Sequence, residues 1–138
     1  MSGAGFALDP RLAADTRAVA SLPLCELLLM DDARWPWLIL VPRRAGLIEI
    51  ADLHGDEQAV LWQEVNRAAA ALRAVAPCDK LNLGALGNIV RQLHVHVVAR
   101  LEGDPAWPGP VWGHGARVAR DDERATTLIA ALRRSLAG

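Results

Sequence analysis

The 138-residue chain holds only two cysteines, Cys25 and Cys78, and they form no CxxC pair or zinc-knuckle spacing. Far apart and set among apolar neighbours, they read as buried thiols rather than a bridge. Long hydrophobic runs are missing as well. Leu27-Leu28-Leu29-Met30 is far too short to cross a bilayer, and Asp31-Asp32 closes it. The start, Met1 to Phe6, has neither a basic opening nor an apolar stretch of signal-peptide length. Together these absences read as a reduced, cytoplasmic protein with no membrane segment. No charge of one sign dominates: 15 Lys and Arg stand against 16 Asp and Glu, a formal net charge of -1. Counterion release therefore gives the chain no general pull toward nucleic acid, whereas a locally positive site for a small anion stays open. Internal repeats, low-complexity tracts and linkers are also lacking. What is present is the length of one ordinary domain with 52% hydrophobic residues, which suits a packed core and argues against disorder.

The local patterns give the elements. Asp9-Pro10 followed by Arg11 to Ala20 reads as a short helix, with Asp9 as its cap and Pro10 at its first position. Pro23 to Met30 and Trp35 to Val41 read as two buried strands. The turn between them is too short for a parallel crossover, so they form an antiparallel hairpin. Leu61, Val65, Ala68, Leu72 and Val75 recur at helical spacing between Asp56 and Ala76, and Pro77 ends that helix. Lys80 to Leu83 is a short strand, and Val90 to Ala99 a longer one with clear alternation. Leu101 to Gly115 is too rich in Gly, Pro and Trp for regular structure. Asp121 to Ala137 is a helix with acidic residues first and Arg133-Arg134 late, as its dipole prefers. Strands, a long helix, more strands and a final helix predict an α+β domain, with helices packed on one face of an antiparallel sheet.

Chemistry concentrates in Gly87 to Arg100. On a strand, Leu93, Val95, Val97 and Ala99 point one way, and Gln92, His94 and His96 point the other, about 6.5–7 Å from one to the next. Two imidazoles in register can attack, pass protons or bind anions near neutral pH. Two plainer alternatives remain at this point. The row could be a wet strand face. It could also be part of a metal site, although His-x-His needs a third ligand, and neither His54 nor His114 stands at a recognisable spacing.

Gln92-Leu-His-Val-His-Val-Val98 resembles the signature of the histidine-triad (HIT) family, His-φ-His-φ-His-φ-φ with φ apolar. His94 falls on the nucleophile of catalytic members, His96 on the third histidine, and Gln92 on the first. Gly87-Asn88-Ile89-Val90 resembles the family's Gly-Gln-Ser/Thr-Val loop, which holds the α-phosphate. Asn82-Leu-Gly84 resembles the family's Asn-x-Gly, and Leu38 to Arg44 the strand ending in Val-Ile-Pro-Lys. The likeness runs from about Leu24 to Arg100. The chain departs from the pattern at Gln92, at Trp37 and Ala45 (histidines in many members), at the shorter Asn88, and at Ile89, which has no hydroxyl.

The resemblance implies a single HIT-like domain over residues 1–138, with its motif region at about 24–100. It also implies a homodimer whose partner molecule is a nucleotide, neither nucleic acid nor membrane. The reaction it implies lies at the α-phosphate of a nucleotide or dinucleoside polyphosphate and passes through a nucleotidyl-histidine. Catalysis falls to His94, His96 and Gln92, and nucleotide binding to Asn82, Gly87, Asn88, Ile89 and Asp31, the last toward the ribose. No resident metal or other cofactor is required, with magnesium accompanying a polyphosphate substrate. The alternative is a nucleotide-binding or scaffolding protein that kept the fold and lost activity. Several further residues have two readings each. Trp35 and Trp37 wall a base pocket or pack in the sheet; Trp62 is core. Arg43 and Arg44 end a solvated strand or face phosphate. His54 lies near a helix cap. Trp107 to Trp112 reach the pocket or the dimer seam, or anchor a loop.

Overall fold

The Asp9 carboxylate accepts the Arg11 amide at 2.8 Å and Pro10 opens the first turn, so a helix starts where the sequence places it. This helix, α1 (Pro10–Asp15), is shorter than expected, because residues 16–20 continue as β1 (Thr16–Ser21). Thr16 closes α1 by donating its hydroxyl to the Leu12 carbonyl, and the chain then pairs antiparallel with β2 (Cys25–Met30). A long-range ladder along β2 overrides a modest local helix preference. The structure, a computed structural model, describes residues 5–138. Part of the segment examined for a leader, Met1 to Ala4, lies outside them.

The hairpin of β2 with β3 (Trp37–Pro42) is antiparallel as expected. With β4 (Lys80–Gly84) and β5 (Val95–Arg100) it completes a five-stranded antiparallel sheet in the order β1-β2-β3-β5-β4. Both long helices, α2 (Gly55–Val75) and α3 (Asp122–Ala137), pack on one face, which makes the fold α+β. Leu38 stands opposite Val97 and Leu40 opposite Val95, and all four face the helices. Leu61, Val65, Ala68 and Leu72 of α2 bury the expected stripe against them. Trp62, read as core, is instead 44% exposed on the outer side of α2. Glu64 does lie on the stripe, and its carboxylate accepts the amides of Leu24 and Cys25 at 2.9 and 2.8 Å where the chain enters β2. Cys25 is buried and unbridged, and burial pushes its thiol far above the usual range.

The other sheet face carries no helix of comparable length. Trp37, Ile39, Val41, Val98 and Leu28 form a second apolar cluster there with Trp35 and Val111. Phe6 and Leu8 of the N-terminal segment lie over it, beside Trp112 from the irregular loop after β5. Ile39 pairs with His96, so the histidines stand on this face.

Candidate active site

β5 begins at Val95, not at Val90 as the alternation suggested, so Gln92 and His94 precede the ladder. The ladders stop there: the last rung with β3 joins Leu40 to Val95, although β3 runs on to Pro42 along β2, and the last with β4 joins Gly84 to His96. The approach stretch keeps the extended alternation even so, with Leu93 in the core beside Val95 and Val97. His94 and His96 share the opposite face with ring centroids 4.8 Å apart, and both are more than nine-tenths buried.

Two hydrogen bonds settle where the imidazole protons sit. His94 Nδ1 lies 2.7 Å from the Gln92 carbonyl, which can only accept, so Nδ1 carries a proton, and in the neutral ring Nε2 is the bare nitrogen. Trp37 donates its indole N–H to His96 Nδ1 at 3.0 Å, so a neutral His96 holds its proton on Nε2. Burial, with a smaller contribution from His94, pushes the His96 pKa down to about 3 and keeps the ring neutral. The two rings are therefore complementary, His94 offering a lone pair and His96 an N–H.

Both rings line a cleft of about 430 Å³, walled by Trp37, Trp112, Met30 and Val90 and floored by Gly87, Asn88 and Ile89. Gly87 sits at φ +76°, a conformation that favours glycine, and so turns the loop toward His94. A second cavity, also about 430 Å³, meets the first at Leu86, Gly87 and His94 and includes Arg91, Glu49 and Gln92. His94 thus stands where two cavities join.

The structure places the remaining candidates elsewhere. Gln92 does not present its amide beside the two rings: Oε1 accepts the Asp9 amide and Nε2 donates to the Ala7 carbonyl, each at 2.8 Å. Asp31 does not line the cleft. Burial alone would raise its pKa, but the Arg120 amide and the Arg17 guanidinium lower it, and with Arg117 they engage the carboxylate in pinning the segment before α3. Asn82 accepts from Arg100 at 2.8 Å instead of facing a ligand. Arg43 binds Glu26 and Arg44 binds Glu57, and neither reaches the histidines. His54 is the cap residue of α2 and makes no side-chain capping bond. Trp37 lines the cleft and is 5% exposed, which joins its two readings, whereas Trp35 is packing alone.

Sequence reasoning missed the brace behind the cleft. Arg100, 1% exposed, grips Asp104 through Nε and Nη2 at 2.7 and 3.0 Å and lies over the Trp107 ring at 5.4 Å. That pair holds the Asp104 carboxyl far below its ordinary range and folds the irregular loop so that Trp112 returns to His96, centroids 5.4 Å apart. Gly84 permits this approach, since a Cβ there would meet the Trp112 ring at 3.1 Å. An arginine following the apolar run Val97-Val98-Ala99 was the available signal. Among the described residues no group of three or more His, Cys, Asp or Glu is placed to hold a metal ion, and no helix is long and apolar enough to cross a membrane.

A family profile described as the HIT domain matches residues 11–103. Three solved structures are similar over nearly the whole chain. A histidine triad protein from Sinorhizobium meliloti 1021 is 50% identical, covers 96% of this chain and 98% of its own, and superposes with a TM-score of 0.94. One from Bradyrhizobium japonicum is 48% identical with the same coverage and a TM-score of 0.93. One from Marinobacter aquaeolei VT8 is 44% identical, covers 96% of each chain, and gives 0.92. No curated protein matches the chain. The histidine pair at the start of β5, the sheet beside it and these matches have one meaning: the chain belongs to the histidine-triad (HIT) family.

Proposed function

We propose that the chain is a nucleotidyl hydrolase or transferase, with His94 as its phosphorus-attacking nucleophile. The family in general comprises nucleotide-binding hydrolases and transferases. The observation that carries the finer reading is the His94 Nδ1–H held by the Gln92 carbonyl, which leaves a bare Nε2 on a ring lining the cleft. In the first step Nε2 forms a bond to the α-phosphorus while the bond from phosphorus to the leaving group breaks, and the leaving group takes a proton from solvent. In the second, water attacks phosphorus and gives up a proton to solvent, the N–P bond breaks with its electron pair returning to Nε2, and the nucleoside monophosphate leaves. The His96 Nε2–H donates to a non-bridging oxygen, and the Gly87 to Ile89 amides share that charge.

A phosphorus centre carries a nucleoside on one side and a leaving group on the other, and two cavities meet at His94 to receive them. The indole-walled cleft suits the base. Asn82 and Asp31 act at one remove, Asn82 through Arg100 and Asp31 through the segment before α3. The reading takes residues 1–138 as one domain that pairs as a cytoplasmic homodimer. Trapping on quenched enzyme given a labelled adenosine phosphoramidate or dinucleoside polyphosphate should place the label on His94 by peptide mapping. Label on another residue overturns the mechanism. Tight nucleotide binding without turnover would favour the binding-protein alternative, for which Ile89 without a hydroxyl and a Gln92 committed elsewhere are the supporting observations.

A further inference from the structure

The stretch before β5 has a structural problem that the rest of the sheet does not have. It carries the carbonyl on which the His94 tautomer depends, yet it lies beyond the ladders with β3 and β4, whose last rungs are at Val95 and His96. One backbone bond holds it, from the Leu93 amide to the Leu47 carbonyl at 3.0 Å. Leu93 anchors its core side, and the Gln92 side chain restrains its other side. A carboxamide presents a donor and an acceptor side by side, which matches the carbonyl and amide of an extended backbone two residues apart. Gln92 uses both, donating to Ala7 and accepting from Asp9. The two nitrogens of a histidine ring at this position diverge too far to make both bonds.

The segment that Gln92 grips is itself fixed at both ends. Phe6 and Leu8 pack into the apolar cluster with Trp35 and Trp37, and Asp9 caps α1. We propose that Gln92 is a positioning residue: by docking the Phe6–Asp9 segment it immobilises its own peptide, whose carbonyl holds His94 in the Nδ1–H form with Nε2 bare. This rests on His94 being the nucleophile, but its central observable does not need turnover. Free imidazole favours the opposite tautomer, so the Nδ1–H form persists only while an acceptor is held in place.

Long-range proton–nitrogen NMR of the full-length, nitrogen-15-labelled chain at pH 7.5, without substrate, reads the tautomers directly. In the wild type His94 should show a protonated Nδ1 and a bare Nε2. Gln92→Met keeps the length and removes both bonds, so His94 should populate both tautomers. Leu8→Ser, which loosens the same segment at its packed face, should reproduce that change. Gln92→Glu, which keeps the acceptor and loses the donor, should fall between. His96, held by Trp37, should stay Nε2–H throughout and serve as the internal control. If Gln92→Met fails to fold, by its amide spectrum, Leu8→Ser and Gln92→Glu decide the matter. Turnover in the folded variants should fall about 10- to 100-fold in kcat, with KM little changed. An unaltered Nδ1–H on His94 in the variants, or Nε2–H in the wild type, overturns the proposal. Failure of the wild type to process any nucleotide overturns the hydrolase reading instead, while the tautomer result still decides the role of Gln92.

Discussion

His94 and His96 are two residues apart and do different work because their Nδ1 atoms meet opposite partners, a carbonyl in one case and an indole N–H in the other. Alanine at position 94 leaves no atom to bond phosphorus, so His94→Ala should abolish turnover. His96→Ala removes only a hydrogen-bond donor to the phosphate, and rates should fall about 10²–10³-fold. Steady-state kinetics on one phosphoramidate separates the two. A stability consequence follows from the low pKa of His96. Its folded pKa of about 3 lies below the unfolded value of 6.5, so the unfolded chain binds the extra proton. The stabilisation is complete above pH 6.5 and is lost as pH falls toward 3. Between pH 6.5 and 4.5 the wild type should lose about 2–3 kcal/mol more than His96→Gln in urea unfolding. The histidine pair was readable because its period of two is local information. The partners of each ring were not, since Trp37 is 59 positions from His96 and the Ala7 carbonyl is 85 from Gln92.

Among the elements, α2 shows how one polar side chain can carry a junction. Glu64 accepts both the Leu24 and the Cys25 amide, so Glu64→Leu removes two buried hydrogen bonds. The cost should be about 2–5 kcal/mol, read as a lower urea midpoint with an unchanged slope. Glu64 falls three residues after Leu61 and four before Ala68, so a charge on the apolar stripe was visible in the sequence. Its partners belong to β2 and were not. The two boundary differences have one origin. Residues 16–20 became strand because β2 offered a free edge, and residues 90–94 stayed out because the ladders with β3 and β4 stop at Val95 and His96. Local composition records preferences, while ladders are fixed by distant strands. The long helices and the β2–β3 hairpin were predicted correctly because periodicity and a short turn determine them alone.

For the whole molecule, the proposed homodimer has a direct check. Light scattering should give about twice the 14.9 kDa chain mass. Trp62 on α2 and Leu83 on edge strand β4, both 44% exposed, are the apolar side chains to test. Trp62→Glu combined with Leu83→Lys should give the mass of one chain, and an unchanged doubled mass would place the contact elsewhere. The two apolar clusters bear on a different question. The helical cluster and the histidine-side cluster lie on opposite surfaces of the sheet and share strands β2, β3 and β5, whose backbone separates them. Side chains beneath the helices, Leu93 between Gln92 and His94 excepted, can therefore be exchanged for others of like volume with little effect on the cleft. Over evolutionary time the helical layer can drift in sequence while the reactive layer is conserved. In the laboratory, heat tolerance can be raised on one side of the sheet with little penalty in rate on the other.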